Sequence, residues 1–390
     1  MVRGPPPRLL KSRWDQTRSA LSLLAAGWPN AKIHPCVPLR SFNPPPVFLL
    51  LLFALFFGGP MLLSIAILTA AALQPQAMDS VKIQEWKVPW ENTRPRDPSV
   101  DKQGNVWFVG QTGHYIGRLD PKNGEFKKFP LDSGTGPHNQ IVGSDGNIWY
   151  TGNRANHIGK MDPKTGQITK YPTPEGVRDP HTMIEDKNGN FWFTAQQSQY
   201  VGRFNPKSGK MDVIKMDGRK NPYGIAIDSK GNIWFNEFAT NAIGKLDPNT
   251  MELTEYPLPN ERTRDRRIAI TSDDMIWYTD FQRGYVGRLD PRTKKVDEWA
   301  LPGGPLSMPY GITVDDKDRL WIAEIGKQPM NGEGAKVRIV GFDTKACEPM
   351  STTWVPSGGG TVRHMIFDKN SREVWFGSDA NTIGRFKVPN

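Results

Sequence analysis

Hydrophobic and polar residues alternate with period two in short runs along most of the chain, and the runs recur as a repeating unit. In residues 222–259, four such runs are separated by turn sequences rich in Gly, Asn and Pro. Period-two alternation is typical of half-buried antiparallel strands. Gly-Asn lies between the first two runs and supplies the positive φ that a tight hairpin needs. Each unit therefore predicts four short strands.

A tryptophan marks the second strand of every unit and sets the number of units. It recurs at intervals of 42 to 44 residues, with a last interval of 54, at Trp107, Trp149, Trp192, Trp234, Trp277, Trp321 and Trp375. Four-stranded units of this length are typical of β-propellers. Residues 78–390 are therefore predicted to form one all-β domain, a seven-bladed β-propeller of four-stranded antiparallel blades. The tryptophans are predicted to lie in the core between blades.

The two ends of the propeller are predicted to share a blade. The last unit stops at Asn390 after its third strand, whereas residues 82–88 (KIQEWKV) have the pattern of a fourth strand. If this N-terminal strand completes the last blade, the ring closes and the edge that an open sheet would expose is removed.

One unit is longer than the others. The extra residues fall in the segment 325–337, after the second strand of the sixth blade. Loops at this place lie on the face where propellers bind ligands, so we expect the insertion to form a partial lid.

The first 77 residues predict an export leader rather than a domain. Residues 47–73 carry no charge, follow a basic stretch and end near three alanines at 70–72. This is the order of a secretory signal with a small-residue cleavage site, and an uncleaved N-terminal anchor is the alternative. Both interpretations predict a periplasmic or secreted propeller, which contacts a membrane only if the leader stays attached.

The net charge of +10 suggests at first a nucleic-acid partner. The leader, however, contains seven Lys or Arg residues and a single acidic residue, so the rest of the chain is only mildly basic. No basic stripe is interleaved with stacking aromatics, because the aromatic residues are periodic and belong to the predicted core. We therefore expect no nucleic-acid partner.

The first strand of each blade lines the central axis of a propeller, and its first residues point into the channel mouth. Counting eleven residues back from each tryptophan gives seven large hydrogen-bonding side chains: Arg96, His138, His181, Tyr223, Arg266, Tyr310 and His364. Converging polar groups in a concave site suit a small-molecule or catalytic pocket. We expect these residues to contact a small-molecule substrate or ligand. A water-filled mouth with solvated polar groups is the alternative.

Three carboxylates form a second candidate group at the same mouth. They lie three residues after the tryptophan in three consecutive blades: Glu237, Asp280 and Glu324. Oxygen ligands of this kind hold Mg²⁺ or Ca²⁺ when they lie a few Å apart. Because Arg266 belongs to the same sector, a salt-bridged ring without a metal ion fits the sequence equally well.

The repeat also resembles that of a known family. The segments GNIWF, AIGKLDP and EYPLP of residues 231–259 are similar to the repeat of the virginiamycin B lyase (streptogramin lyase) family of seven-bladed propellers. They are more distantly similar to gluconolactonase and NHL-repeat propellers. The resemblance covers residues 82–390 and concerns the fold, whereas an activity depends on the site.

The resemblance implies an elimination that opens the cyclic depsipeptide of type B streptogramins, with a His base, a second His on the substrate and carboxylates that hold Mg²⁺. Gly-Pro-His ends at His138 and Asp-Pro-His ends at His181. By this match His181 would be the base, His138 the substrate contact and Asp179 a metal ligand. Where the family has its second carboxylate, this chain has Ala195 followed by two glutamines.

Three functions fit these features. The first is a metal-assisted lyase that opens a cyclic ester, with a divalent cation (Mg²⁺ or Ca²⁺) as cofactor. The second is a periplasmic lactonase whose cation is held by Glu237, Asp280 and Glu324. The third is a non-catalytic propeller that binds a ligand or a partner protein. We expect the lyase, acting as a monomer.

Overall fold

The computed structural model describes residues 80–326 and 336–390, and it confirms the predicted fold. Within these ranges, strands form seven four-stranded antiparallel sheets, and one short 3₁₀ turn spans Gly304–Leu306. The predicted leader and residues 327–335 of the predicted insertion lie outside the described residues. In the described part, no helix has the length and apolar character needed to cross a membrane.

The blades are numbered in chain order, and their first strands contact one another around the axis. The N-terminal strand is β1 (Ile83–Lys87). Blade 1 contains β2 (Pro95–Val100), β3 (Val106–Gly110), β4 (Tyr115–Asp120) and β5 (Glu125–Pro130). Blade 2 contains β6 (Gln140–Val142), β7 (Ile148–Gly152), β8 (His157–Met161) and β9 (Ile168–Pro172). Blade 3 contains β10 (Pro180–Glu185), β11 (Phe191–Ala195), β12 (Tyr200–Phe204) and β13 (Met211–Lys215).

The second half of the ring continues the same order. Blade 4 contains β14 (Pro222–Ile227), β15 (Ile233–Glu237), β16 (Ala242–Leu246) and β17 (Leu253–Pro257). Blade 5 contains β18 (Asp265–Ile270), β19 (Ile276–Asp280), β20 (Tyr285–Asp290) and β21 (Lys295–Ala300). Blade 6 contains β22 (Pro309–Val314), β23 (Leu320–Ile325), β24 (Lys336–Asp343) and β25 (Glu348–Gly359). Blade 7 contains β26 (Val362–Asp368), β27 (Glu373–Ser378) and β28 (Thr382–Lys387), and it is completed by β1.

The N-terminal strand closes the ring as predicted. β1 pairs antiparallel with β28, from Ile83 opposite Phe386 to Lys87 opposite Thr382. Its aromatic side chain at position 86 stacks on the tryptophan of blade 7, with ring centres 5.6 Å apart. The pairing joins the first and last strands of the domain, so that β28 is covered and β1 is the outer strand of blade 7.

The repeated tryptophans lie between blades, as predicted, and all seven are at most 1% exposed. Trp107, for example, packs with Ile148 and Tyr150 of blade 2. An aspartate at the start of the preceding hairpin fixes the indole, since Trp234 Nε1 donates to Asp228 at 2.9 Å. The same bond recurs from Trp107 to Asp101, from Trp192 to Asp186 and from Trp321 to Asp315. Each bond satisfies a buried N–H and ties the hairpin to the core.

A threonine two residues after the tryptophan holds the first strand of the next blade. Its hydroxyl donates to a backbone carbonyl in three blades: Thr151 to His181 (3.1 Å), Thr194 to Tyr223 (2.8 Å) and Thr279 to Tyr310 (3.0 Å). The accepting residues are those predicted to face the axis. The repeat therefore fixes the backbone of the axial side chains from the neighbouring blade.

Candidate functional site

The axial residues follow a shared backbone turn. In five blades the axial residue is preceded by a proline and, before it, by a residue of positive φ: Arg94 (51°), Gly136 (49°), Asp179 (64°), Asn221 (53°) and Met308 (44°). The proline that follows the positive-φ residue has its own φ fixed by its ring, and the first strand begins at or shortly after it. The two Pro-His motifs are therefore cases of a scaffold turn that also precedes arginine and tyrosine. The turn alone does not indicate catalysis.

The strand register corrects one axial position. In blade 6 the residue before Tyr310 pairs with the residue three after the tryptophan, and in blade 7 that pairing belongs to Val362. Arg363 therefore holds the axial position of blade 7, and His364 lies one residue further along the strand. The hairpin between β26 and β27 is one residue longer than its counterpart in blade 6, so counting back from Trp375 misses by one.

His138 and His181 contact each other at the mouth. Their ring centres are 3.5 Å apart, and the side chains are 5% and 3% exposed. Nδ1 of His138 lies 3.0 Å from the carbonyl oxygen of His181, and Nδ1 of His181 lies 2.9 Å from Oγ1 of Thr182. Within the residues that the structure describes, neither Nε2 makes a hydrogen bond. Nε2 is therefore the nitrogen through which each ring can act on a ligand.

The surroundings keep both imidazoles neutral. Burial, followed by the charges of Arg96 and Arg267, lowers the pKa of His138 and of His181 well below the ordinary value for histidine. A neutral imidazole is the form that accepts a proton at pH 7. The geometry thus brings the two predicted histidines together in the protonation state that a base requires.

Arg266 lies inside a collar of aromatic rings. Its guanidinium carbon is 3.9 Å from the ring centre of Tyr310, 4.3 Å from that of Phe281, 4.6 Å from that of Phe238 and 5.1 Å from that of Tyr223. Cation–π contacts of this kind favour a guanidinium group over an aromatic face. Among residues 80–326 and 336–390, no carboxylate forms an ion pair with Arg266.

Tyr223 links the imidazoles to this collar. Its ring centre is 4.3 Å from that of His181, and its hydroxyl hydrogen-bonds to the hydroxyl of Tyr310. Burial alone would raise the pKa of Tyr223, but Arg266 and Arg267 lower it to about 8. Burial raises the pKa of Tyr310 to about 12. The direction of the pKa shift at Tyr223 is the effect of the positive charge around the phenol.

A second polar layer, which the sequence analysis missed, follows the axial residues by one position. Asp97 pairs with Arg96 at 3.2 Å, accepts a hydrogen bond from Asn139 at 3.0 Å and lies 3.9 Å from Arg267. Arg267 also donates to Thr182 at 3.0 Å. A charged residue directly after an axial residue, on the innermost strand, was the signal that could have identified this layer.

Two groups of this layer have shifted pKa values. Burial alone would raise the pKa of Asp97, but Arg96, His364 and Arg267 hold it well below the usual range. Burial lowers the pKa of His364 to about 4. The aspartate is therefore charged and the histidine neutral at pH 7. Asp97 is the anion that compensates the buried arginines.

The structure does not bring the three predicted carboxylates together. Each is paired with its own cation: Glu237 with Lys220 (3.4 Å), Asp280 with Arg283 (2.5 Å) and Glu324 with Arg338 (2.8 Å). None of the three pairs with Arg266. In the described part of the chain, no group of three or more His, Cys, Asp or Glu residues is placed to hold a metal ion.

The region around these three carboxylates carries less negative charge than its sequence suggests. Burial, followed by the charge of Glu255, raises the pKa of Glu237 to about 7. Burial raises the pKa of Asp265, which precedes Arg266, well above the usual range. Burial thus disfavours the charged form of both carboxyl groups, so they offset the neighbouring arginine less than exposed carboxylates would.

The residues around Asp179 do not fit a divalent cation. Its Oδ1 accepts a hydrogen bond from Asn153, and its Oδ2 accepts one from the backbone N–H of Gln197 at 3.1 Å. Burial, despite these bonds, raises the pKa of Asp179. Both oxygens are thus already engaged, and the second carboxylate is replaced by Ala195. The cation stays a prediction from the resemblance, without a matching set of ligands in the described residues.

Comparison with known proteins identifies one matching family. The model of the virginiamycin B lyase family matches residues 72–329 of the chain. No curated protein sequence matches the chain significantly.

Solved structures agree with this match. The structure of a streptogramin B lyase is 25% identical, covers 81% of this chain and all of its own, and has a TM-score of 0.69. The virginiamycin B lyase from Staphylococcus aureus is 24% identical, covers 80% of this chain and all of its own, and has a TM-score of 0.68. A catalytically inactive variant of that enzyme, solved with quinupristin, gives the same values.

Proposed function

Since this chain belongs to the virginiamycin B lyase family, we propose that it is a small-molecule lyase that opens a cyclic ester by elimination at the axial mouth of the propeller. His181 is the proposed base, and His138 is the proposed substrate contact. The observation that best supports this role is the pair of touching, buried imidazoles, with ring centres 3.5 Å apart.

The hydrogen bonds of His181 suit the role of a base. In the tautomer whose Nδ1–H donates to Oγ1 of Thr182, Nε2 carries the lone pair that takes a proton. Thr182 is itself held by Arg267. A base that is oriented in this way loses little entropy when the substrate reacts.

The proposed step moves one proton and breaks one bond. Nε2 of His181 takes a proton from the carbon next to an amide carbonyl of the substrate, and the electron pair forms a double bond to the neighbouring carbon. The C–O bond of the ester breaks, and its oxygen leaves as part of a carboxylate. The imidazolium of His181 then gives its proton to the carboxylate through solvent. No water is added, so the neutral product has the mass of the substrate.

The charge of the mouth favours this step. Negative charge develops first on the carbonyl oxygen and then on the leaving carboxylate, and the guanidinium groups of Arg96, Arg266 and Arg267 act on this region. Positive groups that are fixed before the reaction stabilise such charge without reorganisation. Because the residues around Asp179 do not fit a metal ion, the arginines supply the positive charge in this proposal.

The first experiment incubates the purified full chain with quinupristin, a ligand of the related enzyme. We expect ring opening without a change in mass, and a loss of rate of at least about 10²-fold in His181→Ala, the range of general-base catalysis. Liquid chromatography separates the two isomers and gives the rate, and mass spectrometry of each peak gives the mass.

His114→Asn is the matched control. His114 lies outside the ring at a φ of 52°, a conformation that asparagine tolerates, and its Nδ1 accepts the N–H of Gly136. The control should retain the full rate. Ring opening that is equal in both variants would refute His181 as the base.

A non-catalytic binding propeller is the second candidate. The low exposure of His138 and His181, 5% and 3%, favours it, because a substrate needs access to Nε2. It predicts that quinupristin binds without being consumed, and that His181→Ala changes the dissociation constant only a few-fold. Equilibrium binding with recovery of intact ligand distinguishes the two candidates.

We also propose that the protein acts outside the cytoplasm and is a monomer. Residues 1–77 support export through their basic stretch and the uncharged run at 47–73. Fractionation of the native host should recover the propeller outside the cytosol, and full-length chain in the cytosol would contradict export. Light scattering should give the mass of one chain.

A further inference from the structure

The axial region contains more guanidinium groups than carboxylates to pair with them. Four guanidinium groups act on this region: Arg96, Arg266, Arg267 and Arg363. In the described residues, Asp97 pairs with two of them and Asp379 with Arg363. In the same residues Arg266 has no carboxylate partner, and its neighbours are four aromatic rings and the hydroxyl groups of Tyr223 and Tyr310. The charge of the region is therefore positive even with every ion pair formed.

Three of these groups also keep buried N–H donors that no described acceptor receives. The donors are Nη2 of Arg96, Nε of Arg266 and Nη2 of Arg267. An unpaired buried donor on a charged group is costly, and folded proteins rarely tolerate one without a reason. Three such donors of the same sign in one region point to an acceptor from outside the chain.

We propose that the axial mouth is a binding site for an anion, in which Arg96, Arg266 and Arg267 receive the oxyanion of a small molecule, a carboxylate or a phosphate. Arginine suits this role because its planar group presents several N–H donors to two oxygens at once. Anion binding at this site is a property additional to the elimination proposed above and does not require it. If both hold, the leaving carboxylate enters this site.

The three arginines differ in how deeply their side chains are buried. Arg96 and Arg267 are 3% and 2% exposed, whereas Arg266 is only partly buried. Arg266 is therefore the first to meet a ligand, and the two deeper groups supply fixed charge behind it. Phe238 and Phe281, both partly buried, lie beside Arg266. An anion attached to an apolar body should therefore bind more tightly than a bare one.

Tyr223 provides a reporter inside the site. Its phenol ionises near pH 8 because guanidinium charges surround it, so an anion that offsets those charges favours the protonated form. The experiment titrates the full chain at pH 8 with sodium acetate, benzoate or phosphate, with chloride keeping the ionic strength constant. The phenolate absorbance at about 295 nm should fall and reach a plateau as the anion is added. Benzoate should reach the plateau at a lower concentration than acetate. Tyr223→Phe should lack this change.

Arg266→Gln should weaken anion binding about tenfold, the factor expected when one charge-assisted hydrogen bond is lost. Arg154→Gln is the matched control, because Arg154 is exposed and lies outside the ring. It should bind as the unchanged chain does. If Arg266→Gln does not fold, the unchanged chain and Tyr223→Phe still decide the question.

The probes that cause the fall identify the kind of anion that the site binds. A saturable fall with acetate and benzoate alone assigns a carboxylate, and one with phosphate alone assigns a phosphate. Isothermal titration calorimetry of the full chain with the same three probes measures binding independently of the phenol. If none of the three probes binds saturably by calorimetry, the proposal is overturned. Equal affinity in the unchanged chain and a folded Arg266→Gln would overturn it as well. None of these results depends on turnover, so failure of the elimination leaves this test intact.

Discussion

Two sectors of the axial mouth share one scaffold and differ in chemistry. The histidine sector consists of His138 and His181, and the arginine sector consists of Tyr223, Arg266 and Tyr310. In both sectors a threonine of the preceding blade holds an axial carbonyl. The first sector presents neutral rings, whereas the second presents a guanidinium group without a carboxylate partner in the described residues. The repeat fixes where an axial side chain lies, and its neighbours across the axis determine its charge.

The largest expected effect contrasts two adjacent arginines. Arg267→Met should lower the free energy of unfolding by about 3 kcal/mol or more, because it removes one cation from the buried Asp97. Arg266→Met should cost less than about 1 kcal/mol, since the lost cation–π contacts are offset by removal of a partly buried charge that has no carboxylate partner in the described residues. Urea denaturation measures both. Equal losses would show that the two arginines do not differ as described.

The histidine sector should make stability depend on pH. The folded protein lowers the pKa of His138 and His181, and it lowers that of His364, which lies outside the sector, to about 4. Between about pH 6.5 and pH 4 the unfolded chain therefore binds more protons. Stability should therefore fall as pH decreases through this window, by up to about 1.4 kcal/mol per pH unit for each imidazole. Denaturation at several pH values measures the slope.

Variants assign this slope to the sector. His138→Gln and His181→Gln should each flatten the dependence below pH 6.5, whereas Arg266→Gln should leave it in place. A slope that persists unchanged in a folded double variant of both histidines would contradict the assignment.

The smallest expected effect tests the shared scaffold. Thr151→Val and Thr194→Val each remove a buried hydroxyl that donates to an axial carbonyl, and each should cost about 1 kcal/mol. Thr169→Val, at an exposed position of β9, should stay within about 0.5 kcal/mol of the unchanged chain. A loss confined to one sector would show that the two are not held alike.

The fold was predictable because its determinants are local and repeated. The tryptophan spacing, the Gly-Asn hairpins and residues 82–88 identified seven blades and the closing strand. Each of these features acts within one unit or between adjacent units. Hydrophobic periodicity is therefore sufficient to predict this architecture.

The site was less predictable, because its interactions cross the axis or depend on single insertions. Arg267 of blade 5 lies beside Asp97 of blade 1, and no spacing along the chain relates the two. One additional hairpin residue moved His364 out of the axial position and placed Arg363 there. The pairing of Glu237 with Lys220, on a loop before β14, likewise has no periodic signal.

The measurement that tests the central proposal most directly is liquid chromatography with mass spectrometry of quinupristin after the full chain reacts in water enriched in ¹⁸O, because chromatography separates the ring-opened isomer from the cyclic substrate. An elimination at the axial mouth predicts a ring-opened product of unchanged mass without the label. A product heavier by one labelled water would identify hydrolysis, and unchanged cyclic quinupristin would identify binding alone. Either result would contradict the elimination.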